Sequence, residues 1–392
     1  MSGGLRVVLH AVPLSSAGGR TVGLNVIRSL RQAAPQHEYL ALVPEGVGYE
    51  EACVATGLAY RTFRRGRGYA AWRIWFDQVG VQRIADEFGA DVLYTMGNLG
   101  PIRPRRPHVI LFHNPYYIYD WDGVVARLSP WERFLFAGQR TLFGQSLARA
   151  ATVIAQTPVA RERLAARFGV PPERLAVVPN AVSLDHLQAG ADSPQAARMR
   201  AAGGTGRLRV LTLSRYYPHK NLEQVLAVAE WLRARGEHGI TLFLTIGADQ
   251  HPGAARLLAE IARRGLGEQV VNLGPVPLAT LPSIYAATDV VFLPTLLESF
   301  SGSYLEAMHY QRPIVTSRLD FAEECCGEAA LYADPAEPAA SADALLRLAG
   351  DAALRAELGR RGAARLAQYG VGWPEVTRAM VAVLERAAGG PR

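Results

Sequence analysis

The chain has 392 residues, 49% of them hydrophobic and 20% charged, and carries a formal net charge of +7. This is the composition of a soluble globular protein, and the length sets two domains as the expectation, each able to bury its own core. No apolar run reaches the roughly 20 residues that a membrane helix requires, and because residues 1–6 run straight into an apolar strand, no signal peptide is expected. Three cysteines, two of them adjacent (Cys325, Cys326), give neither a disulfide framework nor metal-ligand spacing. A reducing cytoplasm is the expected compartment. The charge is unevenly placed. Residues 1–190 hold 21 Arg against 14 Asp and Glu, a net of +7, whereas residues 191–392 balance 21 against 21. The excess gathers in Arg61, Arg64, Arg65, Arg67 and Arg73, and in Arg103, Arg105 and Arg106. Such a surface attracts nucleic acid, anionic headgroups or a phosphorylated substrate, or is simply a solvated face.

In chain order, residues 5–12 read as a strand, followed by a loop containing Gly18 and Gly19 and a helix over 21–34. A glycine pair in a first βα turn lets a ligand approach the backbone, although G-x-G-x-x-G is absent. Further strands are expected at 39–43, 91–94 and 109–113. The last ends in His113 and an aromatic loop with Tyr116, Tyr117, Tyr119 and Trp121. An amphipathic helix follows over 128–150, then strands at 151–155 and 175–178. Residues 189–206 turn to Ala, Gly, Ser, Asp and Thr, lose periodicity, and read as the linker. A second series of strands follows at 208–213, 240–246, 270–273, 290–293 and 314–316. Helical patterns then run over 345–366, broken at Gly350, and after Trp373-Pro374. Strands alternating with helices indicate parallel sheets covered on both faces. The expected division is 1–188 and 189–373, with the helix 374–392 packing back on the first domain.

Two stretches carry chemistry. The strand at 290–293 ends in a Pro/Thr loop, and a helix opens near Ser303. Glu298 lies between them, and Glu306 stands about one turn into the helix. In an open parallel sheet, ligands bind outside the carboxyl ends of the strands, and a helix N-terminus there suits a phosphate. Carboxylates beside it accept hydroxyls, so the pattern fits a sugar nucleotide. Ser303-x-x-Glu306 also fits a capping box, which would give Glu306 a purely structural task. The second stretch, Ser214-Arg215-Tyr216-Tyr217-Pro218-His219-Lys220-Asn221, ends the first strand of the second half. Lys220 is the single lysine among 42 basic residues. A compact ammonium and a planar guanidinium are not interchangeable at a phosphate, so this position reads as selected for reach and shape.

These motifs, with Val178-Pro-Asn180-Ala-Val182 and the Gly18-Gly19 loop, resemble the retaining glycosyltransferases of the GT-B fold in sequence family 4. The likeness runs along essentially the whole chain and is strongest over 208–320. Ser214 and Ala181 stand where glycine is commoner in that pattern, and Asn114 stands where Asp often follows the His. The resemblance implies an α/β fold of two doubly wound, Rossmann-like domains facing across a cleft. It further implies transfer of a hexose from GDP-mannose or a UDP-hexose to a saccharide, with retention and no metal or other cofactor. Arg215 and Lys220 would then bind the donor diphosphate with backbone N–H groups around Phe300, Ser301 and Gly302. Glu306 would accept the ribose hydroxyls and Glu298 those of the donor sugar. The backbone near Val276 would read the base, Gly18 and Gly19 would close over the phosphate, and His113 would stand beside the reacting sugar. The pattern Asp120-Trp121-Asp122 is a literal D-x-D, but it lies far in sequence from Glu298 and is not expected to hold a metal. The placement of charge favours a lipid-linked acceptor and a cytoplasmic enzyme resting peripherally on the inner membrane surface. A soluble enzyme with a small-molecule acceptor fits the motifs equally well. A nucleotide-sugar epimerase or phosphorylase of the same fold also remains, and a nucleic-acid binder is a distant third, lacking interleaved aromatic and basic residues.

Overall fold

The computed structural model describes residues 4–120, 123–181, 192–204, 206–369 and 372–389. The chain divides into two compact units, Met1–Trp121 with Ser129–Ala181 and Val371–Arg392, and Asp122–Leu128 with Val182–Gly370. Residues 122–128 therefore group with the second unit, although they lie within the first half of the sequence.

The first unit is built on seven parallel strands, β1 (Arg6–His10), β2 (Glu38–Pro44), β3 (Ala59–Phe63), β4 (Val92–Thr95), β5 (His108–Leu111), β6 (Thr152–Ala155) and β7 (Leu175–Val177). Their order is β3-β2-β1-β4-β5-β6-β7. Between them run α1 (Ala17–Ala33), α2 (Tyr49–Thr56), α3 (Tyr69–Trp75), α4 (Val81–Phe88), α5 (Pro130–Leu147) and α6 (Pro158–Phe168). The two-residue period of a strand decides which face each side chain serves. Val7, Leu9, Tyr39, Ala41 and Val43 join the core beneath α1. Val8, Leu40 and Leu42 point the other way, to Phe76, Val81 and Ile84. Because both faces are covered, the strands read as continuous apolar runs rather than alternating ones. β3 departs from this rule. It is an edge strand with Ala59, Tyr60, Arg61 and Thr62 exposed, and its polar sequence gave no strand signal.

The second unit holds six parallel strands in the order β10-β9-β8-β11-β12-β13. Its elements begin with α7 (Pro194–Gly203), β8 (Leu208–Thr212), α8 (Glu223–Ala234), β9 (Ile240–Leu244), α9 (Pro252–Arg263), β10 (Val270–Asn272), α10 (Leu281–Ala286) and β11 (Val290–Leu293). They continue with α11 (Gly302–His309), β12 (Ile314–Ser317), α12 (Asp320–Cys326), β13 (Ala330–Ala333), α13 (Pro338–Gly350) and α14 (Ala352–Leu366). The expected linker contains α7. The Ser193 side chain accepts from Ala196 N at 3.1 Å and Pro194 opens the first turn, while Ala196 and Met199 are buried. A capped start with proline in the first turn overrides weak periodicity. Residues 189–191 and Thr205 of that linker lie outside the described residues, as does Val182 of the Val178–Val182 motif.

The last helix, α15 (Trp373–Gly389), belongs to the first unit. Val376, Met380, Val383 and Leu384 enter the core beside α1, and the Tyr94 hydroxyl reaches Met380 Sδ at 3.3 Å. α1 itself begins at Ala17, earlier than its sequence suggests. Gly18 and Gly19 therefore form its first turn instead of a loop. Glycine costs little there, because the first N–H groups of a helix have no intrahelical acceptor in any case. Four residues further on, space decides: a Cβ on Gly23 would stand 2.2 Å from the Tyr49 hydroxyl.

Candidate functional site

In the second unit the strand order reverses around β8, which lies between β9 and β11. The loops leaving β8 and β11 are therefore the switch point of this sheet. The segment after β8 is held by Ser214 N donating to Thr245 Oγ1 at 3.1 Å, then closes in a 3-10 turn over Pro218–Lys220. Asn221 follows in the left-handed region, φ 54°, and is fully buried. Its Oδ1 accepts from the Arg127 guanidinium at 2.6 Å, and its Nδ2 donates to Pro335 O at 3.3 Å. Asparagine tolerates this conformation better than other L residues, and here both ends of its side chain are used. The neighbouring loop is tied to the turn by Leu296 N donating to His219 O at 2.8 Å.

That link brings Lys220 and Glu298 together. Lys220 Nζ donates to Glu298 Oε2 at 2.5 Å, with side-chain exposures of 18% and 10%. The His219 ring is pushed well below its ordinary pKa by burial, and Lys220 adds to the effect. It stays neutral beside the ammonium. Arg215, by contrast, is exposed and its guanidinium forms no ion pair among the described residues. One cation is thus held against a carboxylate at the end of β8 while the other is free to turn toward an incoming anion.

Glu306 has a different partner. The buried Tyr285 hydroxyl donates to its Oε2 at 2.8 Å, and the Tyr285 ring stacks on Tyr310 at 4.8 Å. Burial raises the Glu306 carboxyl above its ordinary pKa, and the Tyr285 hydrogen bond works against that rise. The capping-box alternative is removed, because α11 starts at Gly302 with Ser301 as its N-cap and no side-chain cap, so Ser303 lies inside the helix. A Cβ on Gly302 would lie 3.7 Å from Glu306 Oε1, which places the carboxylate over the first turn of α11. Ser301 is buried, and the half-buried Phe300 meets Tyr369 edge-on at 6.5 Å. Val276 is half-buried in the loop that follows β10. Cations, carboxylates and free helix-start N–H groups at one sheet edge are suited to a ligand that is anionic at one point and hydroxyl-rich beside it.

In the first unit, His113 follows β5. Gln156 Nε2 lies 2.9 Å from its Nδ1, and its backbone N donates to Asn98 Oδ1 at 2.6 Å. Asn98 also receives Asn114 N at 3.2 Å and adopts φ 66°. Burial lowers the His113 pKa to about 4, opposed by a hydrogen bond with the Met96 backbone. The ring is neutral at physiological pH. Tyr116, Tyr117 and Tyr119 are buried and pack the unit, with Tyr116 stacked on Phe136 at 4.3 Å, so their loop is a packing element. Trp121 and Asp122 lie outside the described residues. Asp120 is bound by Arg167, which holds its carboxyl below the usual range. Arg73 leaves the basic surface, since it pairs with buried Asp77 at 2.5 Å, and His10 Nε2 lies 2.8 Å from the same carboxylate oxygen.

Several contributors escape sequence reasoning. Arg127 sits some 90 positions from Asn221, Tyr285 is 21 from Glu306, and Gln156 is 43 from His113. None carries a local motif, and only the left-handed need at Asn221 has any sequence trace.

Comparison with known proteins bears on the family and the fold. Residues 17–186 match the model described as Glycosyltransferase Family 4, and residues 207–351 match Glycosyl transferases group 1. The chain is 32% identical over 250 residues to the D-inositol 3-phosphate glycosyltransferase of Kineococcus radiotolerans, covering 60% of this chain and 57% of that protein. It is 26% identical over 228 residues to the O-antigen chain mannosyltransferase B of Escherichia coli, covering 57% and 58%. The matches thus span somewhat over half the length of these relatives. Among solved structures, Anabaena Alr3699/HepE in complex with UDP and glucose superposes with a TM-score of 0.71 at 16% identity, covering 97% of this chain and 99% of that one. The chain belongs to glycosyltransferase family 4 and has the GT-B fold.

Proposed function

We propose that this glycosyltransferase moves a hexose from GDP-mannose or a UDP-hexose to a lipid-linked saccharide, with retention and without a metal ion. The observation that carries the donor reading is the placement of Arg215 and Lys220 at the carboxyl end of β8, beside the Glu298 loop and the start of α11. Preorganised cations aimed at a leaving diphosphate are usually the largest catalytic contribution. On this reading Lys220 divides its ammonium between Glu298 and the diphosphate, and Arg215 turns onto the phosphate oxygens with the N–H groups near Phe300, Ser301 and Gly302. Glu306 accepts ribose hydroxyls, Glu298 those of the sugar, and the backbone at Val276 the base. Gly18 and Gly19 offer backbone to a phosphate, and His113 supplies a neutral ring toward the sugar. As the anomeric C–O bond to the diphosphate breaks, the acceptor oxygen bonds the same face, and its proton passes to the departing phosphate oxygen. A covalent Glu298 intermediate is the weaker route, since this carboxylate is already engaged by Lys220.

The relatives support the saccharide class, one being named for an O-antigen chain and a structural neighbour holding UDP and glucose. A lipid-linked acceptor and peripheral seating on anionic membrane are supported by the basic first half, and by Trp131 and Phe134 on α5, 67% and 70% exposed. A polyol acceptor free in the cytoplasm is the second reading, favoured by the relatives named for inositol 3-phosphate. The deciding experiment is a panel of sugar nucleotides scored by thermal shift and donor hydrolysis, repeated in EDTA. Stabilisation by one nucleotide series and turnover that survives chelation are expected. Loss on chelation with rescue by Mn²⁺ would return attention to Asp120 and Asp122. An isomerised sugar formed without acceptor would identify an epimerase.

A further inference from the structure

Residues 123–128 come from the first half of the sequence but group with the second unit. They turn through one short 3-10 helix, Val125–Arg127, with Val124 and Leu128 buried on either side of it. Arg127 N donates to Val124 O at 2.9 Å, and Arg127 Nη1 donates to Gly123 O at 2.6 Å, so the segment closes on itself. A Cβ on Gly123 would lie 3.7 Å from Leu296 Cδ1. Leu296 belongs to the loop that carries Glu298, so the segment lies against that loop.

Every nitrogen of the Arg127 guanidinium has a partner. Besides Gly123 O, its Nη2 donates to Asn221 Oδ1 at 2.6 Å, and its Nε stands 3.5 Å from Glu223 Oε2 in an ion pair. These two partners bracket the turn after β8. Asn221 directly follows Lys220. Glu223 opens α8, where the helix start favours a carboxylate, and its Oε1 accepts from the Tyr216 hydroxyl at 2.5 Å. Tyr216 directly follows Arg215. Its own N donates to Gln250 Oε1 at 3.0 Å, and its ring stacks on His251 at 5.1 Å. One guanidinium thus reaches the neighbour of Lys220 through Asn221, and the neighbour of Arg215 through Glu223 and Tyr216. A planar fork holds two such partners at fixed angles, which a single ammonium does not. Without Arg127, the Oδ1 of fully buried Asn221 loses its donor, and a buried acceptor left unpaired costs enough to shift the turn.

We propose that Arg127 is a positioning residue for the donor site, holding Lys220 through Asn221, and Arg215 through Glu223 and Tyr216, without touching the nucleotide itself. This role rests on the diphosphate function proposed above for those two cations. The full-length protein is titrated calorimetrically with UDP and with GDP, and urea midpoints are measured alongside. Arg127→Ala should weaken the nucleotide that binds by about tenfold, the scale of coupling within one hydrogen-bond network. Added to Arg215→Ala/Lys220→Ala, the same substitution should cost nothing further, because no cation is left to place. Arg209→Ala serves as the stability control. It removes the 2.9 Å bonds from Arg209 Nε and Nη2 to Asp289, near the start of β8, and should lower the urea midpoint while keeping nucleotide affinity. Should Arg127→Ala not fold, Arg127→Lys takes its place with the same expectations, since one ammonium cannot serve both Asn221 and Glu223. The same loss recurring in the chain without both cations would make Arg127 a direct phosphate contact and overturn the proposal. Equal affinity in wild type and Arg127→Ala, or an equal loss in Arg209→Ala, would also overturn it. If neither nucleotide binds wild type, or Arg215→Ala/Lys220→Ala binds as wild type does, the donor reading falls and takes this role with it. Loss in that pair beside unchanged binding in Arg127→Ala removes the role of Arg127 alone.

Discussion

At the level of single residues, Lys220 and Arg215 separate by their partners. Removing Lys220 leaves Glu298, almost buried, without its counter-charge. Lys220→Ala should therefore lower both turnover, by ~100-fold or more, and stability, on the order of 2 kcal/mol. Lys220→Ala/Glu298→Gln should recover the stability but not the turnover. Arg215→Ala should lose turnover alone, because its exposed guanidinium supports no neighbour. Urea unfolding alongside donor kinetics checks both, and a normal rate in either single variant would end the diphosphate assignment. Glu306→Gln keeps an acceptor for the Tyr285 hydroxyl and removes a carboxylate that burial disfavours. It should fold at least as stably as wild type while raising KM for the donor more than it lowers kcat; an unchanged KM would remove Glu306 from the ribose. For His113, burial holds the folded pKa near 4, below the ordinary 6.5. The unfolded chain takes up a proton between those values that the folded chain refuses. Its contribution to stability is complete above about pH 6.5 and is lost as pH falls through about 4. Relative to His113→Gln, wild type should weaken over that window, and parallel urea midpoints at pH 7 and pH 4.5 would exclude the buried neutral ring.

At the level of elements, the turn after β8 works because one residue accepts a left-handed backbone. Asn221→Gly should keep the backbone and lose only the Arg127 and Pro335 hydrogen bonds. Asn221→Ala should lose those bonds and add about 1 kcal/mol of strain at φ 54°. The alanine variant should thus be the less stable of the two, and both should weaken nucleotide binding by releasing Lys220 from its place. Equal stability would mean that the left-handed backbone stores no strain. The same scale explains which elements could be read in advance. The strands from β8 to β12 are apolar runs with loops at both ends, and their positions follow from buried side chains on both faces. β3 is polar because it is an edge, and α7 is short because it is set by one serine and one proline rather than by a long apolar stripe.

At the level of the molecule, the net charge of +7 falls in residues 1–190, and the first unit also exposes Ile74 and Trp75 on α3 besides Trp131 and Phe134 on α5. Trp131 and Phe134 stack on one another, 5.7 Å apart, and both are largely exposed. Phe143 on the same helix is fully buried, so only the N-terminal half of α5 presents apolar surface. Each basic residue near an anionic leaflet contributes on the order of 1 kcal/mol, within a Debye length. Trp131→Ser/Phe134→Ser should reduce sedimentation with anionic vesicles at low salt while leaving turnover on a soluble donor intact. Identical recovery for wild type and variant would remove the membrane role of α5.

The sequence by itself determined the alternation of strands and helices, because burial on both sheet faces imposes apolar runs that composition makes visible. It also determined that Lys220 and the Glu298–Glu306 stretch stand where strands end, since their flanking apolar runs fix the strand ends. Tertiary structure alone decided the partners. Lys220 meets Glu298 across 78 positions, Tyr285 rather than Ser303 claims Glu306, and Asp77 withdraws Arg73 from the basic surface. Such pairings depend on which strands become neighbours, and the reversal of strand order around β8 is set by packing over the whole sheet, which no local pattern of residues encodes.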